Sequence, residues 1–190
     1  MKFNKETFEI VFFARAGQGA KTAAELLAQA AVNEGKYVQA FPYFGPERSG
    51  APTRAYVRVS GEPIRQHEPI TDPDAVVILD DTLLASQDVS KNLDRDESLV
   101  INTQKPQEEL KKEIPDFQGK INSIDALNIA LEITGQPAIN SVILGKLIKV
   151  TEIVKLESVI EEFKKLFEKK IGGELTNKNI QAIQAGYDSL

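Results

Sequence analysis

Apolar and polar side chains change rhythm several times along this 190-residue chain, and each change marks an element. From Phe8 to Phe13 the apolar, β-prone run is almost unbroken, which predicts a strand near 8–14. After a glycine-bearing turn the rhythm lengthens. Ala23, Ala24, Leu26, Leu27, Ala30 and Ala31 recur at helical spacing, predicting a helix near 20–34 that stops at Gly35. Tyr37 to Phe41 is again short and β-prone. Strand, helix and strand in that order suggest a right-handed parallel βαβ unit.

Prolines and glycines then punctuate residues 42–52 and argue against regular structure there, yet Tyr43 and Phe44 are too apolar for a free linker. Such a segment is packed or functional. Next, Arg54, Tyr56 and Arg58 alternate with Ala55, Val57 and Val59, predicting a half-buried strand with one wet face, at an edge or antiparallel. Ala75 to Leu79 reads as a central strand ending at Asp80-Asp81. Ser98 to Thr103 and Lys120 to Ile124 predict two more strands, with a polar helix, Gln107 to Glu113, between them. The pattern is helical after Asp125: an apolar helix capped at Asn140-Ser141, an amphipathic one over Lys155 to Lys169, and a last one over Lys178 to Tyr187. The fold class expected is α/β, a three-layer Rossmann-like domain over 1–190 with a mostly parallel sheet and C-terminal helices.

Composition narrows the function. Hydrophobic and charged fractions of 42% and 27% are ordinary for a soluble chain, and a net charge of −5 speaks against a nucleic-acid surface. No apolar run reaches membrane-spanning length, and Met1 to Glu6 is too polar for a signal peptide, so a cytoplasmic protein with no membrane partner is expected. With no cysteine, the chain has no disulfide, thiolate zinc site or cysteine-ligated iron–sulfur cluster of its own. Its one histidine, His67, lies in a polar stretch and reads as a solvated loop residue rather than a base. Neither a metal site nor a complete catalytic set is expected in this chain alone, so chemistry here needs a partner.

The stretch with chemical character is Arg15-Ala16-Gly17-Gln18-Gly19-Ala20-Lys21-Thr22. A strand, a tight glycine loop and a helix start make an anion site, because the first helical N–H groups lack intrahelical acceptors and carry partial positive charge. Gly17 and Gly19 permit positive φ and close approach of a ligand. Lys21 opposes the helix dipole at a cost of about 0.3–1 kcal/mol, and no acid precedes Glu25 to compensate it. An anion in the loop would compensate it; the plainer alternative is a tight connection whose lysine points to water. Ala20 and Arg15 replace glycines of a Walker A motif, and Ala14 and Ala16 replace those of the dinucleotide fingerprint, which demotes ATP hydrolysis and NAD binding. Three further places admit two readings. Glu47-Arg48 is an internal salt bridge or a guanidinium offered to a ligand or subunit. Asp80 and Asp81 bind a metal or polar substrate, or Asp81 caps the next helix, the commoner use. Asn140 is a ligand-facing amide or, more simply, a cap.

Taken together, the loop Arg15 to Ala23, the segment Gly35 to Pro42, Gly45-Pro46-Glu47-Arg48-Ser49-Gly50-Ala51-Pro52, Arg58-Val59-Ser60, Pro73-Asp74, Asp80-Asp81-Thr82-Leu83-Leu84 and Asn140 to Gly145 resemble the gamma subunit of the 2-oxoacid:ferredoxin oxidoreductases. The proline-rich segment is most similar to the pyruvate type, with branched-chain (2-oxoisovalerate) enzymes close behind. The resemblance implies a complex that decarboxylates a 2-oxoacid on thiamine diphosphate, passes electrons through iron–sulfur clusters to ferredoxin, and transfers the acyl group to coenzyme A. By the same resemblance, thiamine diphosphate, magnesium and the clusters belong to partner alpha, beta and delta subunits. Coenzyme A would be held here by Arg15, Gly17, Gln18, Gly19, Lys21, Thr22 and Asn140. Tyr43, Glu47, Arg48 and Ser49 would face the thiamine-bearing chains. The rival is a purely structural subunit.

Overall fold

Side chains of the first strand, β1 (Thr7–Arg15), leave the backbone alternately toward two cores. Phe8, Ile10, Phe12 and Ala14 enter one, Val11 and Phe13 the other. A strand covered on both faces belongs in mid-sheet. The computed structural model describes residues 6–44 and 50–189; Glu47, Arg48 and Ser49, named above, lie outside them. The described residues add strands β2 (Tyr37–Phe44), β3 (Pro52–Ser60), β4 (Ala75–Ile78), β5 (Ser98–Asn102) and β6 (Ile121–Ile124). They form a six-stranded sheet in the order β2-β3-β1-β4-β5-β6. β1, β4, β5 and β6 are parallel neighbours, and β3 alone runs against its neighbours.

The helices are α1 (Ala20–Asn33), α2 (Gln107–Glu113), α3 (Ala126–Thr134), α4 (Ile139–Thr151), α5 (Leu156–Ile171) and α6 (Gly173–Asp188). α1 and α3 to α6 bury their apolar faces against one side of the sheet. α2, a 3-10 turn at Asp81–Ala85 and irregular chain around Ile70, Val89 and Leu93 cover the other. The expected three-layer, mostly parallel α/β architecture is therefore present, with a thick helical layer and a thin one.

Four local expectations change. β1 and β2 run parallel, as a βαβ unit requires, but β3 lies between them. β3 is antiparallel, as one alternative held, yet it is neither an edge nor half wet: Ala55 to Ser60 are all buried. Its Arg58 is 3% exposed because Glu9 stands opposite it in the register, and Arg58 Nε donates to Glu9 Oε1 at 2.5 Å. β2 is the edge, and it runs through Pro42 to Phe44, which the prolines argued against. A proline is tolerated where one side of the strand has no ladder partner. Finally, the caps differ. Asp80 rather than Asp81 caps the 3-10 turn, its side chain accepting from Thr82 N. α4 starts at Ile139 after Ala138, with no side-chain cap, so Asn140 lies inside the first turn. Ser141 is buried and donates to Asn179 on α6 at 2.9 Å.

Candidate functional site

Chain direction across the sheet fixes where a crevice opens. From β1 the chain crosses to the β2 side through α1, and from β4 it proceeds to β5 and β6. The carboxyl ends of β1 and β4 therefore border a topological switch point, where open α/β sheets hold ligands. Residues 16–19 leave β1 there, and Asp80 to Thr82 leave β4.

The glycine loop has the geometry its sequence implies. Gly17 and Gly19 have φ of +99° and +83°, and Gly19 is the left-handed N-cap of α1 with no side-chain cap. The N–H groups of Ala20, Lys21 and Thr22 have no carbonyl of their own helix to donate to; the ladder begins with Ala23 N to Gly19 O at 2.9 Å. The first turn of α4 abuts this start, since a Cβ on Gly19 would stand 2.7 Å from Asn140 Cγ. Asn140 is thus at the mouth and not a cap. Lys21 Nζ lies 3.5 Å from Glu25 Oε1, with both side chains more than half exposed (59% and 56%). An exposed pair of this kind holds its lysine weakly, so Lys21 is available at the rim. Thr22 is half-buried in the same turn.

Arg15 and Gln18 behave differently. Gln18 Nε2 donates to Asp80 Oδ2 at 2.7 Å while its Oε1 accepts from Arg15 N at 2.7 Å. Arg15 donates twice to Thr82 Oγ1, at 2.7 and 3.1 Å, and once to Gly50 O at 3.1 Å. Its Nε is 3.4 Å from Asp80 Oδ2. Asp80 Oδ1 accepts from Thr82 N at 3.1 Å and Oγ1 at 2.5 Å. Burial alone would raise the Asp80 carboxyl, but the hydrogen bonds from Thr82 and Gln18 and the charge of Arg15 outweigh it and hold it below its ordinary value. Asp80 and Asp81 do not share a cation site: Asp81 Oδ2 instead accepts from Thr103 Oγ1 at 2.5 Å. Among the described residues no three histidine, aspartate or glutamate side chains gather as metal ligands, and no helix is long and apolar enough to cross a membrane.

Beside the mouth, a groove of about 450 Å³ runs over the ends of β5 and β6, lined by Asp81, Asn102, Thr103, Lys105 and Leu127 among others. Tyr43 is 55% exposed on the edge strand, edge-on to Tyr56 at 6.3 Å, well apart in sequence from the loop. His67 is exposed, as expected. Asp80 is the centre of the loop's bonding, a role beyond the metal or substrate contact expected of it. The available signal was a carboxylate at a strand's carboxyl end followed by a hydroxyl residue.

The family model described as pyruvate ferredoxin/flavodoxin oxidoreductase matches residues 9–189. The chain is 47% identical to the pyruvate/ketoisovalerate oxidoreductases common subunit gamma of Thermococcus kodakarensis, over 95% of each chain. It is similar to the crystal structure of pyruvate oxidoreductase subunit PORC from Thermotoga maritima, with 41% identity, a TM-score of 0.87 and 97% of each chain covered. At 22% identity it shares its fold, with a TM-score of 0.77, with part of a 2-oxoglutarate:ferredoxin oxidoreductase from Magnetococcus marinus solved with 2-oxoglutarate, coenzyme A and succinyl-CoA. That match covers 96% of this chain and 31% of the other.

Proposed function

Because the chain belongs to the pyruvate ferredoxin/flavodoxin oxidoreductase family, as a gamma-type subunit of a multi-subunit enzyme, we propose that it seats the phosphate groups of coenzyme A at the start of α1. One observation carries the reading: a left-handed glycine N-cap at the switch point, with Lys21 on its rim and the Asn140 amide against it. The donor set fits a phosphate. Main-chain N–H groups at a helix start, an amide and a flexible ammonium are all hydrogen-bond donors or donor-bearing groups, and the dipole favours negative charge. Gly17, Gly19 and Thr22 shape and line the approach; the neighbouring groove leaves room for the remainder of a nucleotide-sized ligand.

When bound, coenzyme A supplies the thiol that receives the acyl group. This chain's part is to hold the phosphate end so that the thiol reaches a partner's active site, a gain in proximity rather than in acid–base chemistry. Thiamine diphosphate, magnesium and the iron–sulfur clusters belong to the alpha, beta and delta partners, with ferredoxin taking the electrons; the cysteine-free sequence supports that division for the clusters. Tyr43, exposed on the edge strand, faces those partners. The 2-oxoacid is chosen by them too, which accords with a gamma subunit common to pyruvate and ketoisovalerate enzymes in Thermococcus.

The test is Lys21→Ala in the assembled enzyme. Loss of one rim cation raises the KM for coenzyme A by about three- to tenfold, with the KM for the 2-oxoacid unchanged. An unchanged coenzyme A constant would favour the purely structural subunit.

A further inference from the structure

We propose that Asp80 is a positioning residue for coenzyme A: it fixes the glycine loop from behind, through Gln18, Thr82 and Arg15, so that the N–H groups at the start of α1 face the ligand. The inference rests on the coenzyme A reading of the same mouth.

A carboxylate beside a phosphate site is unfavourable unless its charge is engaged elsewhere. Here both oxygens are. Oδ1 takes two bonds from Thr82, and Oδ2 takes the Gln18 amide with the Arg15 guanidinium beside it. The Asp80 side chain is only 16% exposed. Gln18 is spent at both ends, because its other amide atom accepts from Arg15 N, while Gln18 N donates to Arg15 O at 3.1 Å. These bonds close a ring across residues 15–18. The ring extends to Gly50 and Ala51, since Arg15 reaches Gly50 O and Ala16 N donates to Ala51 O at 2.9 Å. Arg15 and Gln18, which the resemblance implied as contacts of coenzyme A, make these bonds within and behind the loop. They hold the loop, and direct contact falls to main-chain N–H groups, Lys21 and Asn140.

An amide in place of the Asp80 carboxyl keeps the shape but removes the charge opposite Arg15 and sets a second amide against Gln18. Asp80→Asn in the assembled enzyme raises the KM for coenzyme A about tenfold, the usual scale for a hydrogen bond to a charged group. The kcat at saturating coenzyme A and the KM for the 2-oxoacid stay within about twofold, a split that a general loss of structure would not give. Gln18→Ala combined with Asp80→Asn costs less than the two single effects multiplied, because both break one ring. Lys21→Ala is measured alongside. If Lys21→Ala raises the coenzyme A constant and Asp80→Asn does not, this inference fails and the coenzyme A reading stands. If neither moves it, both fail. Fully multiplicative effects of Gln18→Ala and Asp80→Asn overturn action through Gln18. Should Asp80→Asn not assemble, Thr82→Val carries the test by cutting the bridge to Arg15 with the carboxylate left in place. It raises the same constant about threefold, and an unchanged constant overturns the proposal.

Discussion

Gly19 shows how much one residue without a side chain holds at this site. Its φ of +83° is costly for any other residue, and the Asn140 side chain occupies the place of a Cβ. Gly19→Ala is expected to destabilise the chain by about 2 kcal/mol, within the range for a non-glycine residue held in a left-handed conformation. Thermal or denaturant unfolding measures it. Adding Asn140→Ala should recover only the steric share, since the backbone strain remains. The need for glycine here was legible from the strand-loop-helix order and the closeness of Gly17 and Gly19. The Asn140 contact was not, because it joins residues from two helices far apart in the chain, and only packing brings them together. Arg15 and Gln18 teach the converse lesson. The resemblance implied that they touch coenzyme A, and the structure adds that they bond to each other, Asp80, Thr82 and Gly50, links that no local sequence pattern announces.

Among the elements, α4 and α6 approach so closely that each needs a glycine at the crossing. A Cβ on Gly145 would lie 1.9 Å from Ile183 O, and one on Gly186 would lie 1.9 Å from Val142 O. Neither obstacle is a flexible side-chain end; both are backbone. Gly186→Ala must force the helices apart, and about 3 kcal/mol of stability should be lost, at the upper end for overpacking. Gly173→Ala, on the same helix with nothing near its Cβ position, should change stability by less than about 1 kcal/mol. Chemical denaturation of the two variants side by side distinguishes these outcomes. Most elements were legible from periodicity alone, because helices and buried strands repeat their apolar positions locally. β3 was misplaced for a reason that is also physical. Arg54 and Arg58 look like a wet face until their partners are known: Arg54 lies over the Phe13 ring at 4.7 Å, and Arg58 pairs with Glu9 on the neighbouring strand. A charge within the apolar first strand was the available clue, since an acid in mid-sheet needs a cation opposite.

At the scale of the whole molecule, two carboxylates tie distant segments and set a response to acid. Asp80 joins the ends of β1 and β4, as described. Glu34, at the end of α1, accepts from Lys155 N at 2.7 Å and Lys36 Nζ at 3.0 Å, and so pins the start of α5. Burial would raise Glu34, but the bonds from Lys155, Lys36 and Ser158 outweigh it, and its folded value lies below the ordinary 4.5, as that of Asp80 lies below 3.8. A depressed folded value means that the unfolded chain binds the proton first. The stabilisation is then complete above the ordinary values and lost as pH falls through the folded ones. Melting temperature should therefore fall below about pH 4.5, and the fall should be shallower in Glu34→Gln and Asp80→Asn. A slope identical to that of the unaltered protein would show that these two groups do not carry the effect.

The insertion of β3 between β1 and β2 also bears on assembly, because both neighbours of β1 come later in the sequence. β2 and β3 are joined by a short connection and can zip together as a hairpin through near-neighbour contacts. β1 precedes both of its partners in the sequence and pairs on one side with residues 52–60 and on the other with residues 75–78. Apolar on both faces, it stays unpaired until one of those later segments reaches it. Until it is paired, such a strand needs shelter from other unfolded chains.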